Sequence, residues 1–294
     1  MSAIRIAVAQ MEASEDKASN RDVVARLCRC AARGGASLCL FPEEAMVSLY
    51  GGARPADTAE SMRGAFVSLL RSLALEHDMT IVAGMHERLR GSDRAYNTIV
   101  VVGARGDVLH RYRKLHLYDA FGYCESDQIV PGDGPLVVFD VEPFRLGLLN
   151  CYDLRFPEVT RLLVESRADV LLVPAAWQRG PLKEDHWRTL VRARAIENTC
   201  WILAAGQAGE HCIGLSMVVD PLGVVRAQLG EEREGVVIHD IDTERIAVSR
   251  RLLPGLDQRR YRVDPTVQSL PKASRALAAP APSPTMHAIQ TAAR

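Results

Sequence analysis

The feature that most limits what this chain can fold into is an alternation of strand-like and helix-like segments that runs along it twice. Residues 4–9 (IRIAVA) have the length and composition of a strand. Residues 21–33 set Val23, Val24, Leu27 and Ala31 at helical spacing, and Gly34-Gly35 stops the helix. Residues 37–41 (SLCLF) are almost continuously apolar, which marks a strand buried on both faces. A second helix is expected over 62–77, with Phe66, Leu69, Leu70, Leu73 and Leu75 as its apolar stripe. Strands follow at 80–85, 98–102 and 108–112, the last after a hairpin-type turn at Gly106-Asp107.

The second half repeats that order without repeating the residues. Strands are expected at 144–149, 169–173, 201–205, 214–219, 224–228 and 235–240. Helices are expected at 156–165 and 184–198, the latter with Trp187, Leu190, Val191 and Ala195 on one side. Two βαβαββ-like halves predict an α/β fold of two sheets packed face to face, with helices outside, as one domain over residues 1–263. Residues 264–294 form a tail that turns to alanine, proline and serine (ALAAPAPSPT). It has too little apolar area to offset the entropy of ordering, so disorder is expected there.

Charge and cysteine usage narrow the function. Lysine plus arginine equals aspartate plus glutamate, 36 of each, so no net basic field favours nucleic acid or anionic lipid. No window approaches the roughly 18 apolar residues needed to cross a bilayer, and residues 4–9 lack the charged-then-apolar order of a secretory signal. Seven cysteines, an odd count without framework spacing, predict reduced thiols and a cytoplasmic protein. Cys28 and Cys30 lie two apart on a helix, so they face different ways and argue against a metal pair.

Three reactive side-chain types follow expected strands, where ligands of open α/β sheets gather. The first is Glu43, in Phe41-Pro42-Glu43-Glu44. A partly desolvated carboxylate at a strand end should have a raised pKa, suited to a general base, though a capping or surface glutamate reads equally well. Glu43 is nearer the strand than Glu44 and next to the rigid proline. The second is Lys114 in YRKLHL, either a fixed positive charge for an anionic intermediate or a solvated strand-end lysine. The third is Cys151 in NCYDLRFPE, at a strand-to-helix turn where a helix N-terminus lowers a thiol's pKa and offers backbone N–H groups. A buried, inert cysteine is the alternative.

Together, FPEEA around Glu43, YRKLHL around Lys114 and CYDLRFPE from Cys151 resemble the nitrilase, or carbon–nitrogen hydrolase, superfamily. The resemblance runs over about residues 4 to 263 and includes ESDQIVPGD, HWRTLVRARAIENTCWILAAGQ and GLSMVVDPLGVV. It implies a four-layer αββα sandwich, association into dimers or larger homo-oligomers, and a Glu43–Lys114–Cys151 triad needing no metal or organic cofactor. It also implies a supporting glutamate, for which Glu125 is the counterpart, and an oxyanion donor in the Tyr152 backbone N–H. The stretch after the cysteine is similar to the omega-amidase and deaminated-glutathione-amidase branch. The expected activity is hydrolysis of a small carboxamide through a thioester, with release of ammonia.

The alternatives are an N-carbamoyl amine or amino-acid hydrolase, a nitrilase, and a silent binding protein on the same fold. Trp177 departs from the branch, where a smaller residue and then Ala-Phe are expected. It either reshapes the pocket or packs in the core. Tyr50, Tyr123 and Phe121 are expected at the pocket mouth. Arg155 and Arg179 could meet a substrate carboxylate, but arginine is more often solvated or structural, and neither is counted in the site.

Overall fold

The structure, a computed structural model, describes residues 2–264 and 266. The tail expected at 264–294 therefore lies almost wholly outside the described residues.

In chain order the elements are β1 (Ala3–Gln10), α1 (Lys17–Arg33), β2 (Leu38–Leu40), α2 (Pro55–Thr58), α3 (Ala65–His77), β3 (Thr80–Arg88), β4 (Ala95–Val102) and β5 (Val108–Arg113). A small hairpin follows, β6 (Asp119–Ala120) and β7 (Tyr123–Cys124), then β8 (Val138–Val141) and β9 (Phe144–Leu148). The remainder is α4 (Pro157–Glu165), β10 (Val170–Ala175), α5 (Lys183–Asn198), β11 (Trp201–Gly206), β12 (Met217–Val219), β13 (Val225–Gln228), β14 (Gly235–Asp242) and α6 (Thr243–Leu252). The helix ends follow local chemistry. The Asp16 side chain accepts from the Ala18 N–H at the start of α1, Pro157 opens α4, and the Asp242 side chain caps α6.

Two six-stranded sheets result, ordered β14-β1-β2-β3-β4-β5 and β13-β12-β11-β10-β9-β8. Alternation along each strand sends one set of side chains between the sheets and the other under the helices. Ile6, Val8, Leu38, Leu40, Val82 and Val101 of the first sheet meet Leu146, Leu148, Val170, Leu172 and Leu203 of the second. On the outer face of the first sheet, Ala7, Cys39, Phe41 and Ile81 pack under Val24, Leu27, Phe66 and Leu70 of α1 and α3. On the outer face of the second, Leu171, Val173, Ile202 and Met217 pack under Val159, Leu163, Trp187 and Val191 of α4 and α5. Helix, sheet, sheet and helix thus form the four-layer sandwich expected from the two halves.

The two halves exchange a strand. β14, the end of the expected second half, pairs antiparallel with β1 over all eight residues, from Ala3 opposite Asp242 to Gln10 opposite Gly235. It covers the edge that β1, buried along most of its length, would otherwise leave open. The vacant edge of the second sheet is taken by β8, a short strand whose buried anchor is Phe139. Ile246 of α6 packs into the inter-sheet core.

Candidate active site

The two sheets present the carboxyl ends of their parallel strands to the same place. β2 runs on through Phe41 and Pro42 to Glu43, and β9 runs through Leu149 and Asn150 to Cys151. β5 is parallel in direction to β2, because two antiparallel pairings separate it from β3, and it delivers Lys114. These three side chains and Glu125 line one pocket.

Glu43 is buried, and both its oxygens are held. Oε1 accepts from Lys114 Nζ at 2.9 Å and from Asn97 Nδ2 at 2.7 Å, while Oε2 accepts from the Ala176 backbone N–H at 2.7 Å. Gln207 Nε2 donates to its main-chain carbonyl at 3.0 Å and fixes the backbone as well. Lys114 Nζ donates equally to Glu125 Oε2, at 2.9 Å, so the ammonium bridges two carboxylates. Glu125 Oε2 also takes the Tyr118 N–H at 2.6 Å, and Oε1 takes Asn97 Nδ2 at 3.0 Å. Asn97, which the sequence reading did not single out, therefore spans both acids with one amide group. Its own oxygen accepts from Asn150 Nδ2 at 2.9 Å, which sets its orientation.

Cys151 sits on a turn with φ of 49°, a left-handed conformation that costs a non-glycine residue about 1–3 kcal/mol and survives only where the surroundings impose it. Asp153 is the group that imposes it. This carboxylate is fully buried and accepts from the Asn150 N–H at 3.0 Å and the Tyr112 hydroxyl at 2.7 Å. Its other oxygen accepts from the His116 N–H at 3.0 Å and lies 2.8 Å from His116 Nδ1. One acid thus ties the cysteine turn to the segment that carries Lys114.

The local charges reverse two expectations about ionisation. Burial pushes the Glu43 carboxyl up, but the Lys114 ammonium and the hydrogen bonds from Cys151, Lys114 and Ala176 outweigh it and hold its pKa below the ordinary value. Burial raises the Cys151 thiol well above its ordinary value, and the facing Glu43 carboxylate raises it further, against a lowering by Lys114. The turn at Cys151 is a five-residue 3-10 helix, so the pull of a long helix N-terminus is absent. Burial disfavours the Lys114 ammonium, yet Glu125 and Glu43 overcome this and keep it firmly protonated. The resting site is therefore carboxylate, ammonium and neutral thiol.

The other expected residues fall as follows. Tyr50, Tyr123 and Tyr152 line the pocket, as does Trp177, which is 3% exposed and also packs on Trp187 with ring centroids 5.3 Å apart. Trp177 thus both shapes the pocket and fills the core. Phe121 is exposed at the tip of the β6–β7 hairpin. Arg155, set aside from the sequence, lines the pocket, whereas Arg179 pairs with Glu231 and Glu184. Glu44 lines the pocket beside Glu43 and faces His86 at 3.6 Å. Among the described residues no group of three or more His, Cys, Asp or Glu side chains is placed to hold a metal ion.

A family model described as carbon–nitrogen hydrolase matches residues 5–251, which spans every element that builds this pocket. The chain belongs to the carbon–nitrogen hydrolase family. The hydrolase is 36% identical over 257 residues to the deaminated glutathione amidase of Escherichia coli O157:H7, covering 87% of this chain and 97% of that one. It is similar to a solved CN-hydrolase superfamily protein of Xanthomonas campestris that holds an arsenic adduct in its active site. There the TM-score is 0.78 and the identity 29%, over 89% of this chain and 99% of that one. It is also similar to a mutant amidase from Nesterenkonia sp. AN1 that shows Michael addition of acrylamide at its active-site cysteine, with TM-score 0.71 and 27% identity, over 85% of this chain and 98% of that one. The hydrolase acts on carbon–nitrogen bonds other than peptide bonds.

Proposed function

We propose that the hydrolase is a cysteine-dependent amidase that cleaves a small carboxamide through a thioester and releases ammonia. One observation carries this reading: a thiol, a buried carboxylate and an ammonium fixed to that carboxylate at 2.9 Å share one pocket.

Glu43 takes the thiol proton as the Cys151 sulfur attacks the amide carbon, forming the C–S bond and placing a negative charge on the carbonyl oxygen. Lys114 and the Tyr152 backbone N–H stabilise that oxyanion. As the oxyanion collapses, the C–N bond breaks and the protonated Glu43 gives its proton to the leaving nitrogen, so ammonia departs. Water then attacks the thioester while Glu43 accepts its proton. The C–S bond breaks, and the proton returns to the sulfur. The raised thiol pKa and lowered carboxyl pKa mean that the proton crosses only when the substrate supplies a place for the charge. Glu125 and Asn97 hold Lys114 and Glu43 in register.

The test is a panel of carboxamides, ureido acids and nitriles, scored for ammonia and carbon dioxide with the purified protein. The expected result is ammonia without carbon dioxide from carboxamides, and none from the Cys151→Ala variant. Turnover that survives in that variant, or faster release of both gases from ureido acids, overturns the reading. All seven cysteines are free thiols and no helix among the described residues is long and apolar enough to cross a membrane, which supports a cytoplasmic setting. Exposed Ile196, Val224 and Val225 support self-association into a homodimer or larger assembly, to be read by light scattering.

A further inference from the structure

Glu44 is an acid of the catalytic pocket to which the triad gives no task. Its backbone is left-handed, with φ of 58°, a conformation that strains a residue other than glycine and gathers at ligand sites. The surroundings enforce it. The Gly84 N–H donates to the Pro42 carbonyl at 3.1 Å, the Met46 N–H to the Gly84 carbonyl at 3.3 Å and the Val47 N–H to the Glu44 carbonyl at 3.1 Å. A Cβ on Gly84 would fall 2.6 Å from the Glu43 Cα and 2.7 Å from the Glu44 nitrogen, so glycine is what lets both glutamates lie against β3. From that turn Glu43 reaches Lys114, while Glu44 lines the pocket with Tyr50 and Tyr123.

The carboxyl placed there has no donor. Glu43 and Glu125 accept a hydrogen bond on each oxygen, but among the described residues none reaches the Glu44 carboxyl. The imidazole that faces it, His86 Nε2, lies 3.6 Å from Oε1, beyond hydrogen-bond range, and buried His86 has its own Nδ1 unpartnered. The cations of the pocket are engaged elsewhere. Lys114 bridges Glu43 and Glu125, Lys183 donates to the Tyr118 hydroxyl at 2.7 Å, and Arg155 lies 4.8 Å over the Trp177 ring. Burial raises the Glu44 carboxyl above its ordinary pKa; His86 lowers it, and Glu43 and Glu125 raise it again. A cation beside it would offset the burial and both acids. Two phenols stand close enough to feel its charge. Burial and then Glu44 push the Tyr123 hydroxyl up to about 12, and burial, Cys212 and Glu44 raise that of Tyr50. The faces of such rings attract a cation as well.

Resting on the amidase reading above, we infer that Glu44 receives a protonated amine carried by the substrate, so that carboxamides bearing an ammonium group are preferred to neutral ones of the same shape. The ammonium donates to the Glu44 oxygens, with Tyr50 and Tyr123 beside it. Glu44 is a specificity-determining residue and takes no part in bond making.

The test compares amino amides with neutral amides in which a methyl group replaces the ammonium: glycinamide with propanamide, β-alaninamide with butanamide, γ-aminobutanamide with pentanamide and δ-aminopentanamide with hexanamide. At neutral pH the native enzyme should show a higher kcat/KM for the amino amide at one of these lengths. Glu44→Gln keeps the shape of the side chain and removes its charge. In that variant the amino-to-neutral ratio should fall by on the order of tenfold or more, because a charge-assisted hydrogen bond is about twice as strong as a neutral one. Because the readout is a ratio, a general loss of activity cancels. A native ratio of one or less at every length, or a ratio unchanged in Glu44→Gln, overturns the assignment.

If the native enzyme cleaves none of these amides, it is the amidase reading that fails. The cation subsite is then judged without turnover, by whether pentylamine slows alkylation of Cys151 by iodoacetamide more than pentanol does. Protection by the amine that is lost in Glu44→Gln supports the subsite. Equal effects of amine and alcohol on the native enzyme, or equal protection of both forms, sink it.

Discussion

Replacing Glu125 by glutamine tests how the buried charges hold one another. Every neighbour of the Glu125 carboxylate is a donor: Lys114 Nζ and the Tyr118 N–H on one oxygen, Asn97 Nδ2 on the other. A glutamine must turn its NH2 toward one of those donors. Turned toward Asn97, it meets an amide that cannot flip without losing the Asn150 Nδ2 hydrogen bond to its oxygen. Turned the other way, it faces an ammonium. Lys114 keeps Glu43 as a counter-ion, so the expected cost lies at the lower end of the about 3–5 kcal/mol for breaking a buried ion pair. With about 3 kcal/mol lost and 1.4 kcal/mol per decade, a loss felt fully in the transition state lowers kcat by roughly a hundredfold. Urea unfolding and ammonia release from a responsive carboxamide measure the two effects. A Glu125→Gln protein within about 1 kcal/mol of native stability and about threefold of native kcat would refute this account of the acid pair, since one carboxylate would then suffice to fix the lysine.

Four further outcomes are expected. Asn97→Ala leaves oxygens of two buried carboxylates and the Asn150 amide short of a partner, and should cost about 2–4 kcal/mol by urea titration with kcat falling more than KM rises. Asp153→Asn sets an NH2 among three or more donors and loosens the Cys151 turn, so alkylation of Cys151 should change rate while stability drops by about 2 kcal/mol. Phe66→Ala, which empties a fully buried site under the first sheet, should cost about 3–5 kcal/mol in the same titration. Glu43, whose folded pKa lies below its ordinary 4.5, adds stability that is present above that value and lost as pH falls through its folded pKa. The urea midpoint should therefore decline on acidification below about pH 4.5 and decline less in Glu43→Gln.

Glu43, Lys114 and Cys151 were legible because each interrupts the chain just where an apolar strand ends, and because three local motifs fall in one order. Their ionisation was not legible. A strand-end carboxyl is raised by burial alone, and only the fold reveals that an ammonium 71 residues away reaches it. Asn97 lay hidden inside the strand AYNTIVVV, although asparagine in the middle of a β-branched run is uncommon and could have marked it. The sandwich was readable from alternation, but the partner of the last strand was not. Periodicity tells which face of a strand is buried and says nothing about which sheet receives it, so the place of β14 beside β1 shows only in the fold.

The pairing of β14 with β1 also orders events at the ribosome. The strand made first is completed by a strand made more than 220 residues later, with Gln10 waiting for Gly235. Until then β1 offers an open row of amides and carbonyls along a segment rich in buried apolar residues, the kind of template on which other nascent chains can dock. Late closure over so long a span makes the folding of this chain slow compared with a fold of local contacts, and places its greatest hazard of misassembly before synthesis is finished.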